Sequence, residues 1–117
     1  MFVYNYDLYD KGLKSLPNDT PKYVGGSFHC HYNKLTSLQY APKYVGGSFD
    51  CGNNKLTSLQ YSPEYVGRNF YCSYNDLISL EGAPKTVEGH FYCKNNEKKF
   101  TEEEVKAVCN VKGNIYV

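Results

Sequence analysis

Apolar residues return along this chain at fixed offsets. The segments "SFHCHYNKLTSLQYAPKYVGG", "SFDCGNNKLTSLQYSPEYVGR" and "NFYCSYNDLISLEGAPKTVEG" begin at Ser27, Ser48 and Asn69, and "HFYCKNNEKKF" opens a fourth copy at His90. The period is 21 residues, marked by Asn33, Asn54, Asn75 and Asn96 and by Cys30, Cys51, Cys72 and Cys93. A fixed period of this length signals a solenoid, in which each unit buries its apolar side by stacking on the next. Upstream, Tyr6, Leu8, Lys11, Leu13 and Leu16 occupy the Phe, Cys, Asn and two Leu positions, and after a one-residue insertion Pro21 and Val24 occupy theirs. The chain therefore divides as one domain: a degenerate coil at 1–26, full repeats at 27–47, 48–68 and 69–89, a partial repeat at 90–100 and a cap at 101–117.

Within a coil, "F-x-C" alternates with period two, which predicts a strand with Phe and Cys on one face and the intervening residues on the other. The Asn that follows suits a turn, where its side chain is expected to bond a backbone group that the next coil leaves unpaired. "L-x-x-L" crosses the core, Pro excludes a helix, and Val with Gly returns the chain to the next strand. Successive strands are expected to form one parallel sheet, about 4.8 Å apart. After Phe100 the pattern changes. Thr101 with Glu104 is a capping box, and Val105, Val108 and Cys109 share a helical face, so a helix is predicted over 102–111 with Gly113 as its stop and a final strand from Asn114 to Val117.

Phe28, Cys30, Asn33 and Leu35, with their counterparts in the next two coils, resemble the "L-x-L-x-x-N-x-L" core of the leucine-rich repeat. Leu38, Pro42 and Val45 continue it in the manner of the short repeat of secreted bacterial effectors, and the compact "F-x-C-x-x-N-x-L" form is also similar to phage-encoded repeat proteins. The resemblance covers residues 4 to 100. It implies a β-rich α/β solenoid, a leucine-rich-repeat stack of about five coils with one parallel sheet and a C-terminal capping helix, and a non-enzymatic role in binding proteins.

Composition narrows the function. Thirteen Lys and Arg against twelve Asp and Glu give a net charge of +1. With no block of like charge, neither nucleic acid nor an anionic membrane is the expected partner. No secretory leader or apolar run long enough to span a membrane is visible, and five cysteines is an odd number, so a cytoplasmic, reducing location is expected.

The triplet His29-Cys30-His31 invites a metal or nucleophile reading. Strand geometry turns both histidines away from Cys30, which excludes a Cys–His pair between these neighbours. Cys30, Cys51, Cys72 and Cys93 lie in a row whose ends are about 14 Å apart, too far for one zinc ion. His29, His31 and Asp50 form a legitimate donor set, but the histidine positions are about 6.5 Å apart along the strand, long for shared ligation unless the rings lean together. No metal and no cofactor is therefore assigned, and a small metal-dependent enzyme on these three residues is the minor alternative.

The outward face is where function is expected. Its candidate partner-binding residues are Asp7, Tyr9, His29, His31, Asp50, Tyr71, His90, Tyr92 and Lys94, which change from coil to coil while the buried positions repeat. The expected function is a protein–protein interaction module, with an effector or inhibitor of a host protein as one form of it; the competing view is a structural, self-assembling repeat without a specific ligand. Phe2, Tyr4, Tyr6 and Leu8 lie in an uncovered first strand, which predicts a homodimer through the N-terminal end.

Overall fold

The computed structural model describes residues 4–117. They form a β-solenoid of short parallel strands: β1 (Tyr6–Asp7), β2 (Tyr23–Val24), β3 (Phe28–His29), β4 (Tyr44–Val45), β5 (Phe49–Asp50), β6 (Tyr65–Val66), β7 (Phe70–Tyr71), β8 (Thr86–Val87), β9 (Phe91–Tyr92), β10 (Asn110–Val111) and β11 (Ile115–Tyr116), with one helix, α1 (Glu102–Val108). The strands make two sheets, where one was expected. The six-stranded sheet runs β1-β3-β5-β7-β9-β11 and the five-stranded sheet β10-β8-β6-β4-β2. The second sheet arises because the return passage is itself extended. Val24, Val45, Val66 and Val87 point into the core, and Tyr23, Tyr44 and Tyr65 alternate outward on the same strands.

Register follows the repeat. Phe28 pairs with Phe49 and Phe49 with Phe70, an offset of 21, whereas Tyr6 pairs with Phe28, an offset of 22 that absorbs the one-residue insertion. At the other end Phe91 pairs with Ile115, an offset of 24. The helix accounts for that longer coil. It lies inside the coil that starts at His90, and the chain then rejoins both sheets through β10 and β11.

The helix is also shorter than predicted, ending at Val108 rather than 111. Cys109 is already extended as the C-cap, and Asn110–Val111 bonds to β8 instead of continuing the helix. Val105 and Cys109 are buried, but Val108 is exposed, contrary to the shared apolar face expected of the three. The Thr101–Glu104 capping box is present with both of its hydrogen bonds.

The core is a set of columns. Phe28, Phe49 and Phe70 stack with ring centroids 5.4 and 5.7 Å apart, flanked by buried Cys, Leu and Val columns. All five cysteines are buried free thiols. Two of them are more than small hydrophobes, since Cys51 Sγ donates to Tyr71 O at 3.2 Å and Cys72 Sγ to Tyr92 O at 3.3 Å.

The asparagine column stitches neighbouring coils. Asn54 Oδ1 accepts the Leu35 N–H at 2.9 Å while its Nδ2 donates to Cys30 O and Cys51 O at 3.0 and 3.1 Å. Asn75 and Asn96 repeat the arrangement one and two coils on. Each asparagine thus satisfies backbone groups at the corner, where the sheet ladder ends.

Candidate functional site

The six-stranded sheet presents three columns of outward residues, and they behave differently. The first contains Asn5, Ser27, Ser48, Asn69, His90 and Asn114. Asn5 Oδ1 accepts the N–H of Ser27, Ser27 Oγ that of Ser48, Ser48 Oγ that of Asn69, Asn69 Oδ1 that of His90, and His90 Nδ1 that of Asn114, all between 2.7 and 3.1 Å. This is a hydrogen-bond ladder that holds the coils in register. His90, proposed from sequence as a contact residue, spends its ring nitrogen on the lead into β11.

The middle column is set by strand pairing: Asp7, His29, Asp50, Tyr71, Tyr92 and Tyr116. Its C-terminal half is aromatic. Tyr71, Tyr92 and Tyr116 stack with centroids 4.7 Å apart at both steps and rings within 13° of parallel. In-register parallel strands place identical side chains at this spacing, which suits offset π-stacking. Tyr116 was absent from the sequence-derived set, because only the 24-residue coil brings it beside Tyr92.

The N-terminal half is polar. His29 and Asp50 are direct neighbours on β3 and β5, and His31 lies two residues past His29 on the same face. The imidazoles lean together, with centroids 5.5 Å apart. Asp50 Oδ1 accepts the Gly52 N–H at 2.9 Å, leaving Oδ2 directed at His31 Nδ1 at 3.5 Å. That separation is too long for a hydrogen bond, and the Nδ1 atoms of both His29 and His31 are buried without a hydrogen-bond partner among the described residues. Burial pushes the Asp50 carboxyl above its ordinary range, only partly offset by the Gly52 N–H and the two imidazoles.

In the third column Tyr9 lies against His31, centroids 4.5 Å apart, and Lys94 is exposed at the far end. Asp7 is exposed and its Oδ1 accepts the Tyr9 N–H. The rim beyond carries residues that sequence reasoning did not select. Tyr32 and Tyr74 are more than half exposed and adopt left-handed backbone, φ 56° and 59°. Asn53 makes the same turn in the coil between them, and Asn95 in the coil after Tyr74.

Of the residues assigned to self-association, Phe2 lies outside the described residues. Tyr4 is exposed, while Tyr6 packs edge-on against Phe28 at 5.7 Å and Leu8 is half-buried against the core.

These features define a solenoid repeat protein of stacked coils of about 21 residues with a chemically uneven outer face. No family model matches the chain, and neither a curated protein nor a solved structure matches it. No helix among the described residues is long and apolar enough to cross a membrane.

Proposed function

We propose that this chain is a non-enzymatic binding solenoid of the leucine-rich-repeat type that recognises a protein through the outer face of its six-stranded sheet and the adjoining rim. The stacked Tyr71, Tyr92 and Tyr116 carry this reading. Tyrosines on a rigid sheet offer broad amphipathic contact area at little conformational cost. The rim supports it. The left-handed turn costs a non-glycine residue about 1 kcal/mol, less for asparagine, so backbone geometry gives no reason for Tyr32 and Tyr74 to be tyrosine. The sheet face alone projects roughly 300 Å², short of the roughly 800 Å² of accessible surface that each partner contributes to a standard interface. Including the rim, or pairing two copies through Tyr4, Tyr6 and Leu8, enlarges it.

The test compares capture of proteins from source cells by wild type, by a face variant and by a back variant. The face variant is Tyr92→Ala with Tyr32→Asn and Tyr74→Asn; the back variant is Tyr23→Ser with Tyr44→Ser on the second sheet. A protein retained by wild type and the back variant is expected to bind the face variant at least about 10-fold more weakly, as for loss of aromatic anchors. Equal capture by the wild type and both variants would remove the face from the interface.

A further inference from the structure

We propose that His29, His31 and Asp50 form a binding site for one divalent transition-metal ion of the zinc, cobalt and nickel group. The inference stands independently of which protein the face recognises. One nitrogen from each imidazole and one oxygen from the carboxylate lie within 4.8 Å of one another. Donor atoms around a tetrahedral zinc ion, with bonds of about 2.0 to 2.1 Å, are about 3.4 Å apart, so modest side-chain rotations close the site. Two imidazoles with a carboxylate suit these ions and not magnesium or calcium, which take oxygen donors.

Three local features point to a ligand rather than a simple ion pair. Both Nδ1 atoms are buried and unpartnered among the described residues, whereas the first outward column of the same sheet satisfies its polar atoms by a ladder. The carboxylate is already oriented, with the Gly52 N–H fixing Oδ1 and leaving Oδ2 toward His31. Such a bond behind a ligand is the usual device for holding a metal-binding carboxylate in place. The neighbouring position is also left small. Gly52 follows Asp50 as His31 follows His29, and a Cβ there would lie 3.2 Å from Asp50 Oδ1 and from Ser73 O. On the opposite side the Tyr9 ring backs His31. Three protein donors leave at least one coordination position for water or for a donor from a bound partner.

The buried thiols do not compete for the ion in the folded chain. Cys30, the nearest in sequence, belongs to the inner column and is fully buried. Its Sγ faces the core, on the opposite side of the strand from both imidazoles.

The experiment titrates the chelator-treated full chain with cobalt(II), read by its visible absorption, and with zinc(II), read by calorimetry and by thermal melting. Expected are one ion per chain, displacement of cobalt by zinc, a cobalt spectrum without the intense near-ultraviolet band of thiolate ligation, and a zinc-dependent rise in melting temperature. His29→Ala and His31→Ala should each weaken zinc binding by more than about 100-fold, beyond what loss of an outer-sphere contact costs. Asp50→Asn, nearly isosteric, should abolish the zinc-dependent rise while the chain stays folded by circular dichroism. His90→Ala should bind as wild type. No binding of either ion by wild type up to about 1 mM overturns the proposal. So does stoichiometric binding that survives replacement of both His29 and His31, or a cobalt spectrum showing sulfur ligation.

Discussion

Among single residues, the repeating asparagine is the most consequential polar group, and the sequence showed its role. Its position two residues past a period-two strand indicated a side chain bonding the next coil; Asn54 does stitch two coils together, but it reaches back to Leu35 and Cys30 of the preceding one and donates as well to Cys51 of its own. Asn54→Ala leaves the buried Leu35 N–H unpaired and removes one donor from each of the two carbonyls. A loss of about 2 to 4 kcal/mol is expected in chemical denaturation. Asn54→Asp separates the two halves of the interaction, because the carboxylate still accepts from Leu35 but presents a second acceptor to two carbonyl oxygens. It should be no more stable than the alanine variant at neutral pH, and an aspartate variant matching wild type would show that the amide does not donate. The histidine geometry was less legible. Backbone spacing made His29 and His31 a long pair for shared ligation unless their rings lean together; they do lean, to a centroid separation of 5.5 Å, a rotamer choice that no periodicity encodes.

At the level of elements, strands of two residues hold together because hydrogen bonds continue past them, as in Phe28 N–H to Ser48 O, Cys30 N–H to Asp50 O and Tyr32 N–H to Gly52 O. The first sheet was legible because Phe and Cys alternate around a variable residue. The second was not, since "Tyr-Val" is too short to show alternation and reads as a return to the next strand. The helix was overextended for a related reason: Val111 continues an apolar pattern, but its backbone bonds with β8 outweigh helical propensity. The turn between the sheets requires close approach. A Cβ on Gly67 would overlap the backbone carbonyl of Gly46 in the preceding coil, and the Gly67 N–H donates to Val45 O at 2.8 Å. Gly67→Ala must push two coils apart and is expected to cost about 2 to 3 kcal/mol in urea denaturation. Gly12→Ala meets no atom within 4 Å but has φ +67°, so it should cost only the left-handed backbone penalty of about 1 kcal/mol. Equal losses at the two positions would mean that the coils are not packed this closely.

For the whole molecule, stacking coils in register places like beside like, and the period alone makes the columns visible. The thiols illustrate the energetic result. Burial pushes Cys93 up to about 11 and Cys109 up to about 12, and holds Cys30, Cys51 and Cys72 well above the ordinary range. In the unfolded chain all five titrate near 8.5. Between about pH 9 and pH 11 the unfolded chain has therefore released protons that the folded chain retains, and stability falls as pH rises. The contribution of each thiol is complete below its unfolded pKa and is lost as pH climbs toward the folded value. Each retained proton steepens the decline by about 1.4 kcal/mol per pH unit. Cys51→Ala removes one such thiol, so its stability should fall less steeply than wild type by about that amount over this range, whatever the offset between the two proteins at neutral pH. Tyrosines and lysines titrate in the same range but are common to both proteins and cancel in the comparison. Urea denaturation at half-unit intervals from pH 8 to pH 11 measures both slopes. Parallel declines would mean that the Cys51 thiol ionises as readily in the folded chain as in the unfolded one, which is incompatible with its place in the inner column.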